Sequence, residues 1–91
     1  MLTIEKVNPS DLIPYVNNAR THTDEQIKQV ASSINEFGFT NPVLIDSKNT
    51  IIAGHCRTLA ALKLGMDTVP TILLDSLTKA QTKAYILADN D

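Results

Sequence analysis

The stretch Leu2-Thr3-Ile4-Glu5-Lys6-Val7 alternates apolar with polar residues, which predicts a half-buried strand. Asn8-Pro9-Ser10-Asp11 breaks the pattern, and Leu12 to His22 holds no regular period and reads as an irregular segment. Thr23-Asp24-Glu25-Gln26 is a capping box, with Thr at the N-cap and Gln three residues on. Behind it, Ile27, Val30, Ala31, Ile34 and Phe37 fall on one stripe of a 3.6-residue period, and Gly38 is placed to stop the helix.

Val43-Leu44-Ile45-Asp46 predicts a second strand, Lys48-Asn49 a turn, and Thr50-Ile51-Ile52-Ala53 a third strand. Gly54 follows at once, and His55 to Leu64 reads as a helix ending at Gly65. Thr71-Ile72-Leu73-Leu74, after Pro70, reads as the last strand. A second capping box, Thr78-Lys79-Ala80-Gln81, opens a helix predicted to turn Ala84, Leu87 and Ala88 inward. The order β-α-β-β-α-β-α implies an α/β (α+β) fold, a small mixed sheet with packed helices. No composition shift divides the 91 residues, so 1–91 is expected to be one domain. The chain stops at Asp91 within or just past a helix, which suggests a fragment or one domain of a longer protein.

Composition narrows the partners. The net charge is −2 and Lys and Arg form no cluster, whereas phosphate-gripping nucleic-acid domains carry a basic stripe. Any DNA contact is therefore expected to be local or to come through additional domains or a partner protein. Lys79 and Lys83, one helical turn apart, read as a solvated face. No apolar stretch reaches the roughly 18–20 residues that cross a bilayer, so no membrane partner is expected. The one cysteine cannot form an internal disulfide, which fits a cytoplasmic setting. With 4% aromatics and no Trp, the core must come from Ile, Leu, Val and Ala.

The junction Ile51-Ile52-Ala53-Gly54-His55-Cys56-Arg57 carries the candidate chemistry. A strand feeding a helix through one glycine presents helix-start amides and the positive end of the helix dipole, a site for phosphate. Gly54 would let a ligand approach the backbone with no Cβ in the way. Arg57 would add a forked cationic donor, and His55 one or two hydrogen bonds. Strand-glycine-helix junctions are also common as plain packing devices. Cys56 reads as a small, partly buried side chain. Arg20 suits either a ligand or a surface pair with Asp24 or Glu25, and His22 either a ligand or solvent. No spacing of His and Cys suggests a zinc site.

Several runs resemble the ParB-type N-terminal domain of the ParB/sulfiredoxin superfamily, especially forms found beside phage and mobile-element DNA methyltransferases. They are Asn18-Ala19-Arg20-Thr21-His22, then Ala31 to Val43 with Gly38-Phe39-Thr40-Asn41-Pro42, and then Gly54-His55-Cys56-Arg57-Thr58-Leu59-Ala60-Ala61. Val69-Pro70 and Ala88-Asp89-Asn90 follow at the expected distances, so the resemblance covers about four fifths of the chain. It implies a module binding nucleotide phosphate, CTP or ATP with Mg2+, and a possible homodimer. The implied contacts are Gly54, His55, Cys56, Arg57, Arg20, Thr40, Asn41 and Pro42, with Asp89 and Asn90 at the metal.

The chain departs from the partition proteins' Gly-Glu-Arg-Arg box at His55 and Cys56. In the sulfiredoxin motif the cysteine stands two residues before the arginine; here His55 holds that place and Cys56 comes one residue late. A residue turns a helix by about 100°, so Cys56 is not expected to act as that thiol. An NTPase, a nuclease, a small-molecule kinase and a ligand-free interaction domain are the competing expectations, and none gains a catalytic residue here.

Overall fold

The computed structural model describes residues 3–15 and 22–88. The elements are β1 (Ile4–Val7), a 3-10 turn (Pro9–Asp11), α1 (Asp24–Phe37), β2 (Val43–Ile45), β3 (Ile51–Ala53), α2 (His55–Lys63), β4 (Val69–Leu73) and α3 (Lys79–Ala88). Apart from the short turn, this is the order that the hydrophobic pattern predicts.

Local chemistry explains most of the boundaries. Thr23 Oγ1 accepts from the Gln26 amide at 3.1 Å while Gln26 Oε1 accepts from the Thr23 amide at 2.9 Å, closing the first capping box. The same pair of bonds at Thr78 and Gln81 opens α3. Gly38 ends α1 with φ 82 and ψ 178, backbone that only glycine adopts freely. Between β2 and β3, Asp46 Oδ1 accepts from the amides of Lys48 and Thr50, and Asn49 takes φ 66. An Asx turn with a left-handed Asn is what closes this hairpin.

The sheet runs β1-β4-β2-β3. β4 pairs antiparallel with β1 (Glu5 opposite Thr71) and parallel with β2 (Leu44 opposite Ile72), and β3 closes the far side antiparallel to β2. β4 starts at Val69, two residues earlier than the pattern predicts, and takes Pro70 into the strand. Pro70 has no N–H for a ladder, and it lies ahead of Thr71, where pairing with β2 begins.

The core joins Val43, Ile45, Ile51 and Val69 of the sheet to Ala61 of α2 and to Leu12, with Val7, Phe39 and Met66 packed against it. α1 packs on α2. Two predicted helix faces need correction. Phe37 is 68% exposed at the end of α1, whose one buried residue is Ala31. On α3, Leu87 is 64% exposed and Ala84 and Ala88 are also exposed, whereas Ile86 is the buried residue. α3 packs on β3 and buries Ile86 there, a narrow seam. A short, mostly apolar helix does not reveal from its own sequence which seam that is.

Candidate functional site

α2 begins where the short, fully buried strand β3 ends. Gly54 makes the corner with φ 103 and ψ 27. Its carbonyl accepts from the Thr58 amide at 2.9 Å and from Thr58 Oγ1 at 2.8 Å, which seals the first turn. That turn carries no acidic residue, unlike α1, whose first turn holds Asp24 and Glu25. The positive end of the α2 dipole is therefore left without a carboxylate in its own first turn.

The space beside Gly54 differs from the expectation of a ligand approach. A Cβ there would lie 3.0 Å from Arg57 Nη2 and 3.3 Å from both Cα and Cγ2 of Val43. The protein's own atoms fill that space. Gly54, His55 and Cys56 are all buried, so the helix start is packed rather than turned outward. Arg57 is half-buried and folds back toward the corner, and its Nη2 donates to the Pro42 carbonyl at 3.2 Å.

The residues of the predicted constellation divide between two cavities. Arg57, Thr40 and Asn41 line one of about 190 Å³, with Gly38, Phe39 and the α1 residues Val30, Ser33 and Ile34. Pro42 joins this side through its bond to Arg57, while Thr40 and Asn41 are exposed at the rim. His55 lines a different cavity of about 350 Å³, with Pro9, Leu12, Pro14, Tyr15 and His22 on its walls. His55 is 8% exposed, and its Nε2 accepts from the Tyr15 amide at 3.4 Å. Two positions apart on a helix are turned by about 200°, which is why His55 and Arg57 serve opposite sides.

Cys56 is 2% exposed and lines neither cavity, the position of a packing residue. Arg20, Asp89 and Asn90 lie outside the described residues, as does the run from Asn18 to Thr21. Among the described residues no group of three or more His, Cys, Asp or Glu side chains could hold a metal ion. No helix there is long and apolar enough to cross a membrane. Tyr15 borders the larger of these two cavities without any signal in the sequence, since it arrives from a loop through contacts distant along the chain.

Comparison with known proteins agrees with this architecture. A family model described as the ParB N-terminal domain matches residues 1–90. The chain is 58% identical over 71 residues to the ParB-like nuclease domain-containing protein YnaK of Escherichia coli (strain K12), covering 78% of this chain and 82% of that relative. It is 32% identical over 92 residues to the nucleoid occlusion protein of Geobacillus sp. (strain WCH70), covering 96% of this chain but 32% of that protein. The chain thus spans about a third of that longer relative. Among solved structures, the C-terminally truncated chromosome-partitioning protein ParB from Caulobacter crescentus, complexed with CTP-gamma-S, superposes with a TM-score of 0.80 at 24% identity, over 93% of this chain and 51% of that one. Sulfiredoxin from Arabidopsis thaliana gives 0.73 at 18% identity, over 92% and 97%. A free serine kinase in complex with AMP gives 0.67 at 18%, over 84% and 32%. At these identities the structural matches establish the fold.

Proposed function

The chain belongs to the ParB N-terminal domain family, and from that premise we propose that it is a nucleotide-binding module whose phosphate site lies at the start of α2. The observation that carries this reading is Arg57, the cationic side chain at a helix start that has no acidic residue in its first turn. Its Nη2 is bound to Pro42 O and its side chain lines the cavity shared with Thr40 and Asn41. A guanidinium already held in place loses less freedom when it meets a phosphate than a loose one. The CTP-gamma-S in the Caulobacter protein and the AMP in the free serine kinase support the same ligand class on this fold.

In this reading the nucleotide is CTP or ATP, with Arg57 and the positive end of α2 toward its phosphates and the segment from Gly38 to Pro42 along its other end. Arg20 is a further cationic contact. Magnesium, which favours carboxylate, water and phosphate oxygens, is held by the nucleotide together with Asp89 and Asn90. The described residues offer it no site of their own. His55 and Cys56 support the site by packing the corner that positions Arg57, while their side chains lead away from it. The module serves a cytoplasmic, DNA-acting protein, a partition or regulatory factor or a methyltransferase-associated protein. DNA contact then comes from additional domains or a partner, and a homodimer is the expected assembly.

Calorimetry with CTP, ATP, ADP and S-adenosylmethionine, each with and without magnesium, tests this. The expected outcome is magnesium-dependent binding of CTP or ATP, weakened by about tenfold or more in Arg57→Lys, which keeps the charge and loses the fork. A folded chain that binds none of the four overturns the reading. Release of nucleoside diphosphate or AMP in the same samples would favour the enzymatic alternative.

A further inference from the structure

β1 is an edge of the sheet, with β4 on one side and no strand of the described residues on the other. Its register shows which groups it turns outward. Lys6 stands opposite Pro70, and Pro70 has no N–H to donate, so the two form a non-hydrogen-bonded pair of the antiparallel ladder. By alternation Ile4 and Ile72 form another, while Glu5 with Thr71 and Val7 with Val69 are the bonded pairs. Thr71 Oγ1 also donates to the Glu5 carbonyl at 2.9 Å, which ties Glu5 to β4. The amides and carbonyls of Ile4 and Lys6 therefore point away from β4, along the outer edge. No hydrogen bond reaches them from the described residues. The sheet's other edge is covered by Ile13, whose carbonyl accepts from the Ile51 amide at 2.8 Å. Tyr15 and His22, which flank residues 16–21, line a cavity with Ile51 of that other edge.

Beside β1 lies a groove of about 690 Å³, on the sheet face that carries Glu5. Val7, Ile45 and Leu73 give it an apolar floor, and Glu5, Asp46 and Asp75 bring three carboxylates to it. Lys6 falls on the opposite face, since neighbours along a strand alternate. We propose that β1 takes up an extended basic segment of a partner protein as an added strand, with its Lys or Arg side chains lying in this groove. Backbone bonds to Ile4 and Lys6 supply the docking. The apolar stems of the added side chains lie on Val7 and Leu73 while their charged heads meet the carboxylates. On the other face Ile4, 58% exposed, favours an apolar neighbour, so the segment alternates basic with apolar residues. A second copy of this chain suits the edge less well. A two-fold axis through the middle of β1 sets Glu5 against Glu5 or Lys6 against Lys6, like charge on like. The edge stands apart from the phosphate site, since Arg57 lines a different cavity.

Backbone amide exchange followed by NMR tests this, with a capped hexapeptide alternating Lys with Val as the probe. Saturating probe should slow exchange at the Ile4 and Lys6 amides by about tenfold or more. The amides of Glu5 and Val7, already bonded to β4, should change little. A hexapeptide alternating Glu with Val should bind about tenfold more weakly, and Glu5→Lys should weaken the Lys-Val probe by a similar factor. Lys6→Pro removes an outward N–H that the sheet does not use, and should abolish the protection at Ile4. If circular dichroism shows that variant unfolded, Ile4→Pro takes its place, with Lys6 as the reporter. The proposal is overturned if the probe leaves Ile4 and Lys6 exchanging as in the free chain, or if the Glu-Val peptide protects them equally. It is also overturned if Glu5→Lys or the folded proline variant binds the probe as tightly as the parent. Protection of these two amides that rises with the chain's own concentration would assign the edge to a second copy instead.

Discussion

Arg57 and Gly54 share one small space: the guanidinium Nη2 stands 3.0 Å from where a Cβ on Gly54 would be. Gly54 therefore serves two ends at once. It takes the left-handed corner into α2, and it leaves room for the arginine to reach Pro42 O.

Gly54→Ala is accordingly expected to destabilise the fold and also move Arg57. The positive φ alone costs roughly 1–2 kcal/mol for a residue with a Cβ, and the 3.3 Å approach to the Val43 backbone adds to it. Urea denaturation should show that loss, and nucleotide affinity should fall in the same variant. An alanine variant as stable as the parent would mean that the corner does not need this conformation.

Thr58 tests the corner from its other side without touching Arg57. Its hydroxyl is buried and donates to the Gly54 carbonyl at 2.8 Å. Thr58→Val keeps the shape and removes this bond, so the expected loss is about 1 kcal/mol. The Gly54 carbonyl keeps its bond from the Thr58 amide, and nucleotide affinity should stay within about twofold.

On α3 the exposures predict a sharp contrast between neighbours. Ile86, 5% exposed, should cost about 2–5 kcal/mol as Ile86→Ala. Leu87→Ala, at a side chain 64% exposed, should stay within about 0.5 kcal/mol. Thermal unfolding of the two variants side by side decides it. Equal losses would mean that another surface covers Leu87 in solution.

The pH dependence of nucleotide binding separates His55 from the phosphate site. His55 lines the cavity opposite Arg57, so its side chain should not meet the phosphates. Affinity should still vary between about pH 5.5 and 8, because the ligand's phosphate ionises near pH ~6. His55→Gln should follow the same slope as the parent. A flattened slope in the variant would place the imidazole at the ligand after all.

What the amino-acid sequence determined by itself is local. Both capping boxes form as written, Gly38 and Asn49 take the positive φ values that end α1 and turn the hairpin, and all seven regular elements appear in their predicted order. Each depends on residues within a few positions, where side chain and backbone meet whatever the rest of the chain does. The motifs around Gly38–Pro42 and Gly54–Arg57 likewise carried the resemblance to the family that the comparison shows. Tertiary structure decided how those residues are shared out. It placed β4 between β1 and β2, drew Pro70 into a strand, buried Ile86 in preference to Leu87, and sent His55 and Arg57 to different cavities. It also filled the space beside Gly54 with Arg57 and Val43 rather than leaving it to a ligand. Those outcomes rest on contacts between segments far apart in the chain, such as Tyr15 with His55 and Pro42 with Arg57. A residue's own neighbours in sequence fix its periodicity, but only the packed partners decide which side of it is covered.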